Sequence, residues 1–468
     1  MSPAKQDDRL RWYLEAKFGL FLHWGPYSVA GVEASWPIMA PELAAAAFGP
    51  QPPITEAEYV ALPQRFNPTE FDPVAWAHLA RQAGMRYIIF TAKHHDGFCM
   101  FDAPGTSYKI TNTPYGRDVC AELADACAQV GIRLGFYYSQ PDMHHPGYRD
   151  TTRPVTENWL GEPQRPAWSG YLDYLEEHLR TLLTNYGPVS VLWFDGIASH
   201  EKYDPARFHR LIDELSPQTL INDRLGGRYD FVTLEQFLPT LGVPVKQDKR
   251  QVLKDRHFRL LNKLLRVPGI EPLLLKQARR YAQGQLQLGQ IPTTPYPALE
   301  EFQPWETCMT MNDTWAYNPA GQAAYKPAGQ LVRNLVEAAS RGGNYLLNVG
   351  PTPLGTCPPE AVDRLRQIGE WMAANSEAIH GTTYGPLQLW GPARSTARDG
   401  ILYLHVLDWP KQGQLQMNWF PGQVASVSLL ADGRDLAFEQ APAGRLTVQV
   451  PYHPPDPWAS VLVVQTKP

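Results

Sequence analysis

Short apolar runs alternate with helical patterns through the first two-thirds of the chain. FGLFLHWG (18–25), YIIFTAKHHDG (87–97), RLGFYYSQPD (133–142), VSVLWFDG (189–196) and TLINDRLG (219–226) each read as a strand. Between them, residues 72–84, 117–131, 169–187 and 203–217 carry apolar positions at helical spacing. Two of these helices open with Asp-Pro, at Asp72–Pro73 and Asp204–Pro205. Aspartate caps free N–H groups and proline suits a first turn. Gly84, Gly131 and Gly187 suit the helix ends.

Continuously apolar strands joined by helices predict a parallel sheet covered on both faces. His23, His94, His95, Tyr138, Asp195, Asp223 and Arg224 all fall at the C-terminal ends of their predicted strands. A closed barrel gathers such ends around one mouth, where barrel enzymes work, whereas an open sheet spreads them along an edge. No GxGxxG follows the first strand, so a dinucleotide fold lacks its fingerprint. The expected fold is a (β/α)8-like, TIM-type barrel. RYDFVTLEQ (228–236), WETCMTM (305–311) and NYLLNVG (344–350) supply its last strands, and 359–375 its closing helix.

After about residue 380 the segments become short, alternating and broken by Gly, Pro and Asp, which predicts a small C-terminal β-sandwich. The expected domains are a barrel over 1–378 and a sandwich over 379–468. Residues 243–300 interrupt the barrel with a basic segment whose leucines recur at helical spacing. It is expected to pack on the barrel with its charges solvated, a lid over the site or an oligomer contact being the alternatives.

Composition narrows the function classes. Hydrophobic residues are 44%, charged residues 19%, and the net charge is −5, so nothing resembles the basic surface of a nucleic-acid binder. The chain is rich in aromatics, with 14 Trp, 22 Tyr and 17 Phe, which suits a large core and also sugar-binding clefts. Five cysteines form no CxxC pair, and neither a secretion signal nor a membrane-spanning run is visible. A cytoplasmic protein is expected, with no membrane partner; a homo-oligomer is compatible with the sequence.

The stretch TAKHHDGF (91–98) puts Lys93, His94, His95 and Asp96 directly after an apolar strand. A barrel mouth is the place where a buried strand can end in useful polar groups. Adjacent strand residues point opposite ways, so both histidines reach the cavity only if the chain bends, which Gly97 permits. With His23 the cluster raises the question of zinc, but no HExxH or CxxC supports a metal, and no cofactor is expected. Asp195 ends the run LWFDG, and Glu235 and Glu306 are further carboxylates near predicted strand ends. Two carboxylates with histidines, tryptophans and an arginine suit glycoside hydrolysis. One carboxylate must stay ionised beside a protonated one, and cationic or imidazole neighbours help hold it so.

The motifs KFGLFLHWG, FNPTEFDPVAW, TAKHHDGF, GFYYS, LWFDG, INDR, DFVTLEQ, WETCMTM and GGNYLLNVGP, in this order, resemble those of the α-L-fucosidases of glycoside hydrolase family 29. The resemblance spans the predicted barrel and fits the C-terminal β domain. It implies a retaining exo-fucosidase that acts on fucosylated oligosaccharides, with Asp195 as nucleophile. It makes His23, His94 and His95 sugar ligands, with Trp24 beside His23. Trp193 and Arg224 join them, with one tyrosine of YYS, Tyr138 in preference to Tyr137. Trp315, in WAY where the family has WGY, completes the set. In TPEQ-bearing members the glutamate is the acid/base, which gives Glu235 in TLEQ here; Glu306 is the alternative. A TPEQ-like motif also implies a preference for α-1,3/1,4-linked fucose. Glu235 and Asp195 would then sit about 5–5.5 Å apart, as a retaining pair. Action on another glycoside, fucose transfer, or fucose binding without turnover are the competing readings.

Overall fold

The computed structural model describes residues 3–467 apart from 162, 197–199, 239–301, 320–324, 387–391, 418–419, 421 and 443. The basic insertion expected at 243–300 lies outside the described residues. The chain divides into two compact units. The first holds residues 1–237, 306–331 and 344–373, and the second 238–305, 332–343 and 374–468.

The first unit is built on eight strands: β1 (Phe18–Leu22), β2 (Tyr87–Lys93), β3 (Arg133–Ser139), β4 (Val191–Asp195), β5 (Leu220–Ile221), β6 (Val232–Glu235), β7 (Trp305–Thr310) and β8 (Asn344–Val349). Their order is β5-β4-β3-β2-β1-β8-β7-β6, a curled, TIM-like sheet. Every residue of β1, β2 and β8 is buried, as a sheet covered on both faces requires. The helices between them begin as their sequences dictate. Asp72 accepts the Ala75 N–H at 2.9 Å ahead of helix Pro73–Gln82, and Asp118 accepts the Ala121 N–H at 3.0 Å ahead of Val119–Val130. Asp204 caps helix Pro205–Leu215 in the same way.

The two ends of the sheet, β5 and β6, meet through a single parallel bridge between Asn222 and Phe231. β5 is only two residues long, and the Asn222 side chain replaces the ladder that it lacks. Its amide donates to the Phe194 carbonyl and accepts the Phe194 N–H, both at 2.9 Å. Asp223 Oδ1 then accepts the Thr233 N–H at 3.0 Å, tying the chain after β5 to β6. Thus the segment that carries Arg224 is held by side chains rather than by a long strand.

The second unit contains β9 (Thr383–Tyr384), β10 (Ala393–Arg398), β11 (Ile401–Val406), β12 (Gln414–Met417), β13 (Val424–Leu429), β14 (Phe438–Gln440), β15 (Leu446–Gln449) and β16 (Ser460–Thr466). A sheet of order β13-β16-β11-β10-β9 and a second of order β12-β15-β14, both antiparallel, enclose Leu402, Leu404, Val427, Val448 and Leu462. This is the expected sandwich. Among the described residues no helix is long and apolar enough to cross a membrane.

Asn222→Ala leaves the buried N–H and C=O of Phe194 without their partner. We expect it to lower the unfolding free energy by about 2–6 kcal/mol, from about 1–3 kcal/mol per unsatisfied buried group. Urea unfolding of the purified variant measures this.

Candidate active site

Asp195 is the last residue of β4 and Glu235 the last of β6, so both carboxylates stand at the C-terminal end of the sheet. Arg224 lies in the short turn Asp223–Leu225 after β5, between them. Its Nη1 donates to Asp195 Oδ1 at 2.6 Å and its Nη2 to Glu235 Oε2 at 2.9 Å. The same guanidinium lies 5.0 Å from the centre of the Trp193 ring. The other oxygen of Asp195 accepts the Tyr137 hydroxyl at 2.9 Å and faces His95 Nε2 at 3.6 Å.

The two acids differ in setting. Asp195 has 18% of its side chain exposed, whereas Glu235 has 45% and meets solvent freely. Burial pushes the Asp195 carboxyl up. The charge of Arg224 and the hydrogen bonds from Arg224 and Tyr137 outweigh it and hold the group below the usual carboxylate range. Asp195 is therefore ionised at neutral pH.

The bend expected at His94–His95 is present. The pairing of β2 with β3 shifts register between Thr91 and Lys93, and the chain then turns at Gly97, whose φ is +82°. The two imidazoles end 4.4 Å apart, with His94 stacked on Tyr137 at 5.5 Å and His23 5.8 Å from His94. The remaining charges of TAKHHDGF hold the bend. Lys93 Nζ bonds the Pro141 carbonyl at 3.2 Å and pairs with Asp142 at 3.3 Å, both side chains being buried. Asp142 Oδ1 in turn accepts the N–H groups of His144 and His145. A Cβ on residue 97 would lie 2.1 Å from that oxygen, so only glycine fits there. Asp96 accepts the Tyr59 hydroxyl at 2.8 Å and the Phe98 N–H at 3.1 Å, and burial raises its carboxyl to about 6. It supports the turn. Among the described residues no cluster of three or more His, Cys, Asp or Glu could hold a metal.

Hydrogen bonds also set the tautomers. Ser139 Oγ gives its proton to the Pro141 carbonyl at 2.7 Å, so at 2.6 Å it accepts from His95 Nδ1. Asn348 Nδ2 donates to the Trp315 carbonyl at 2.7 Å, so its Oδ1 accepts from His23 Nδ1 at 2.7 Å. Both histidines thus keep the proton on Nδ1 and present a bare Nε2. Burial lowers each to about 4, leaving them neutral at neutral pH. His94 Nδ1 meets Ser35 Oγ at 3.1 Å.

Trp315 joins the group, its ring 5.0 Å from that of His23 and 6.2 Å from Phe21. Its backbone is clamped from both sides, by Asn348 at the carbonyl and by Glu33, whose carboxylate accepts the N–H groups of Trp315 at 2.7 Å and Ala316 at 3.3 Å. Burial pushes Glu33 up to about 8 against those two bonds.

Three of the expected residues stand elsewhere. Tyr138 points to the opposite face of β3 from Tyr137; its hydroxyl bonds His178 Nδ1 at 2.9 Å and Lys93 covers its ring at 4.8 Å. Strand alternation forces this choice, since Tyr137 pairs in register with Trp193 and shares its face. Trp24 packs among Phe66, Phe71 and Phe90 and donates its indole N–H to the Thr352 carbonyl at 3.1 Å. Glu306 is the second residue of β7, wholly buried at the N-terminal end of the sheet, far from the mouth. Tyr137, Ser139, Asn348, Ser35 and Glu33 are what the sequence reading passed over or ranked second. Asn348 carries the same signal as Asp195, a lone polar residue near the end of an apolar strand. Glu33 has no periodic signal at all.

Two outcomes follow. Lys93→Met strands the buried Asp142 charge, and the protein should lose about 3–5 kcal/mol of unfolding free energy, read by urea titration. His95 is lowered in the folded state, so its contribution to stability is present above about pH 6.5 and lost as pH falls towards about 4. Over that window the stability gap between the protein and its His95→Asn variant should narrow, since the variant has no imidazole to protonate.

A sequence model of the alpha-L-fucosidase family matches residues 2–257 and 280–377. The chain is 27% identical to tissue alpha-L-fucosidase of Bos taurus, over 95% of this chain and 85% of that one. Its fold superposes on alpha-L-fucosidase isoenzyme 1 from Paenibacillus thiaminolyticus with a TM-score of 0.80 and 32% identity, over 99% of this chain and 100% of that one. It also superposes on a trapped covalent intermediate of a family 29 alpha-L-fucosidase from Bacteroides thetaiotaomicron, with a TM-score of 0.75 and 26% identity, over 100% and 97% of the two chains. The mouth geometry and the match across most of the barrel agree: the chain belongs to the alpha-L-fucosidase family of glycoside hydrolases.

Proposed function

We propose that the chain is a retaining exo-α-L-fucosidase in which Asp195 is the nucleophile and Glu235 the acid/base. The observation that carries this is the single guanidinium of Arg224 shared by one sunken and one open carboxylate. In the first step Asp195 bonds the anomeric carbon as the bond to the leaving oxygen breaks, and Glu235 gives that oxygen a proton. In the second, Glu235 takes a proton from water, the water oxygen bonds the anomeric carbon, and Asp195 is released. The bare Nε2 atoms of His23 and His95 accept hydrogen bonds from sugar hydroxyls. The Trp315 face suits the methyl of a 6-deoxy sugar, a contact worth about 1–3 kcal/mol.

The TLEQ motif around Glu235 supports a preference for α-1,3/1,4-linked fucose, which a panel of defined trisaccharides tests. Five free cysteines support a reducing, cytoplasmic location, which cell fractionation tests.

The deciding experiment is nitrophenol release from an activated α-L-fucoside, with and without azide. Asp195→Ala should be inactive without azide, and any azide rescue of it should give β-fucosyl azide by a single inversion. Glu235→Ala should lose on the order of 10²–10⁴ in turnover. Azide should restore it with formation of α-fucosyl azide, the net result of two inversions, because azide needs no general base. Rescue that fails for Glu235→Ala overturns its assignment. Aglycone released in excess of free fucose would mark a transferase, and fucose binding without turnover a lectin-like protein.

A further inference from the structure

Glu306 is left without a part in this chemistry, yet it is built into the barrel with care. Its Oε1 accepts the indole N–H of Trp193 at 3.0 Å, and its Oε2 accepts the hydroxyls of Tyr87 at 2.5 Å and Tyr13 at 3.2 Å. Tyr87 reaches it by crossing over Gly19, where a Cβ would lie 2.5 Å from the tyrosine ring. Burying a carboxyl among neutral donors is costly, and a structural filler could be apolar. Burial raises the group to about 7, against the three hydrogen bonds. It lies four residues before Thr310 at the mouth end of β7, a rise of about 13 Å at the usual strand spacing.

What Glu306 holds is the platform of the site. The Trp193 ring stacks under Tyr137 at 5.4 Å and under the Arg224 guanidinium at 5.0 Å. Those two side chains are the hydrogen-bond donors to Asp195. The indole N–H bond fixes the ring's rotation, and the ring's rotation fixes where both donors rest. We propose that Glu306 is a positioning residue, acting from the closed end of the barrel through Trp193 to aim Arg224 and Tyr137 at Asp195. The inference rests on the reading of Asp195 as nucleophile. It removes Glu306 as an acid/base, since its carboxyl is spent on Trp193, Tyr87 and Tyr13.

The test compares Glu306→Leu, Trp193→Phe and the double variant with the unaltered protein. Readouts are kcat, KM, azide rescue, and the rate at which a 2-fluoro-fucosyl fluoride labels Asp195. Each single change cuts one end of the same bond. Each should lower kcat and the labelling rate about tenfold, with KM within about twofold, as a small misplacement of reacting groups does. The double variant should be no worse than the poorer single one. Azide should restore none of them. Glu306→Gln keeps an acceptor for Trp193 and should stay within about threefold of the unaltered protein, where an acid/base would lose on the order of 10²–10⁴.

Azide rescue of Glu306→Leu would make Glu306 the acid/base and overturn the proposal. Factors that multiply in the double variant would overturn it too, as would a lowered melting temperature with kcat unchanged. If Glu306→Leu fails to fold, Trp193→Phe decides alone, and kcat and labelling equal to those of the unaltered protein would refute it. If the unaltered protein itself is not labelled at Asp195, the reading of the nucleophile fails instead.

Discussion

One cation organises the mouth of this barrel. Arg224 bridges Asp195 and Glu235 and lies over the Trp193 ring, so its charge, its two hydrogen bonds and its cation–π contact all act at once. A guanidinium suits this place better than an ammonium, because its planar fork serves two acceptors while its face rests on an indole. Without it the sunken Asp195 would lose the largest of the effects that offset its burial. The price of holding a charge there appears in the fold: Arg224 sits on the shortest strand junction of the sheet, kept in register by Asn222 and Asp223 rather than by a strand ladder.

The imidazoles around that cation are neutral. His23, His94 and His95 are buried and lowered, and their protons are placed by Asn348, Ser139 and their neighbours. Such imidazoles carry no charge with which to compete with Arg224 for the carboxylates. The charge that surrounds them in the sequence is spent elsewhere. Lys93 neutralises Asp142, and Asp96 is held by Tyr59, so TAKHHDGF delivers two neutral rings on a charged hinge.

Much of this was legible beforehand. The helix starts at Asp72, Asp118 and Asp204, the continuous burial of β1 and β2, and the C-terminal sandwich follow from local pattern and capping. So do Asp195, Arg224, His23 and the paired histidines, because a polar residue closing an apolar strand stands out against its neighbours. The choice between Tyr137 and Tyr138 was not legible. Adjacent residues on a strand have opposite faces, and which face is inside depends on register with Trp193. Trp24 misled for the same reason: one step past His23, it turns to the phenylalanines behind the sheet.

The two glutamates mark the boundary most sharply. Both lie in apolar runs beside tryptophan or leucine, and composition cannot separate them. Only the closed sheet shows that Glu235 ends its strand at the mouth while Glu306 begins its strand at the opposite end. The sequence by itself determined the barrel, its covering helices and the kinds of group at the strand ends, because these depend on local periodicity and caps. The tertiary structure decided which of those groups meet, because facing and depth are set by register between strands far apart in the chain.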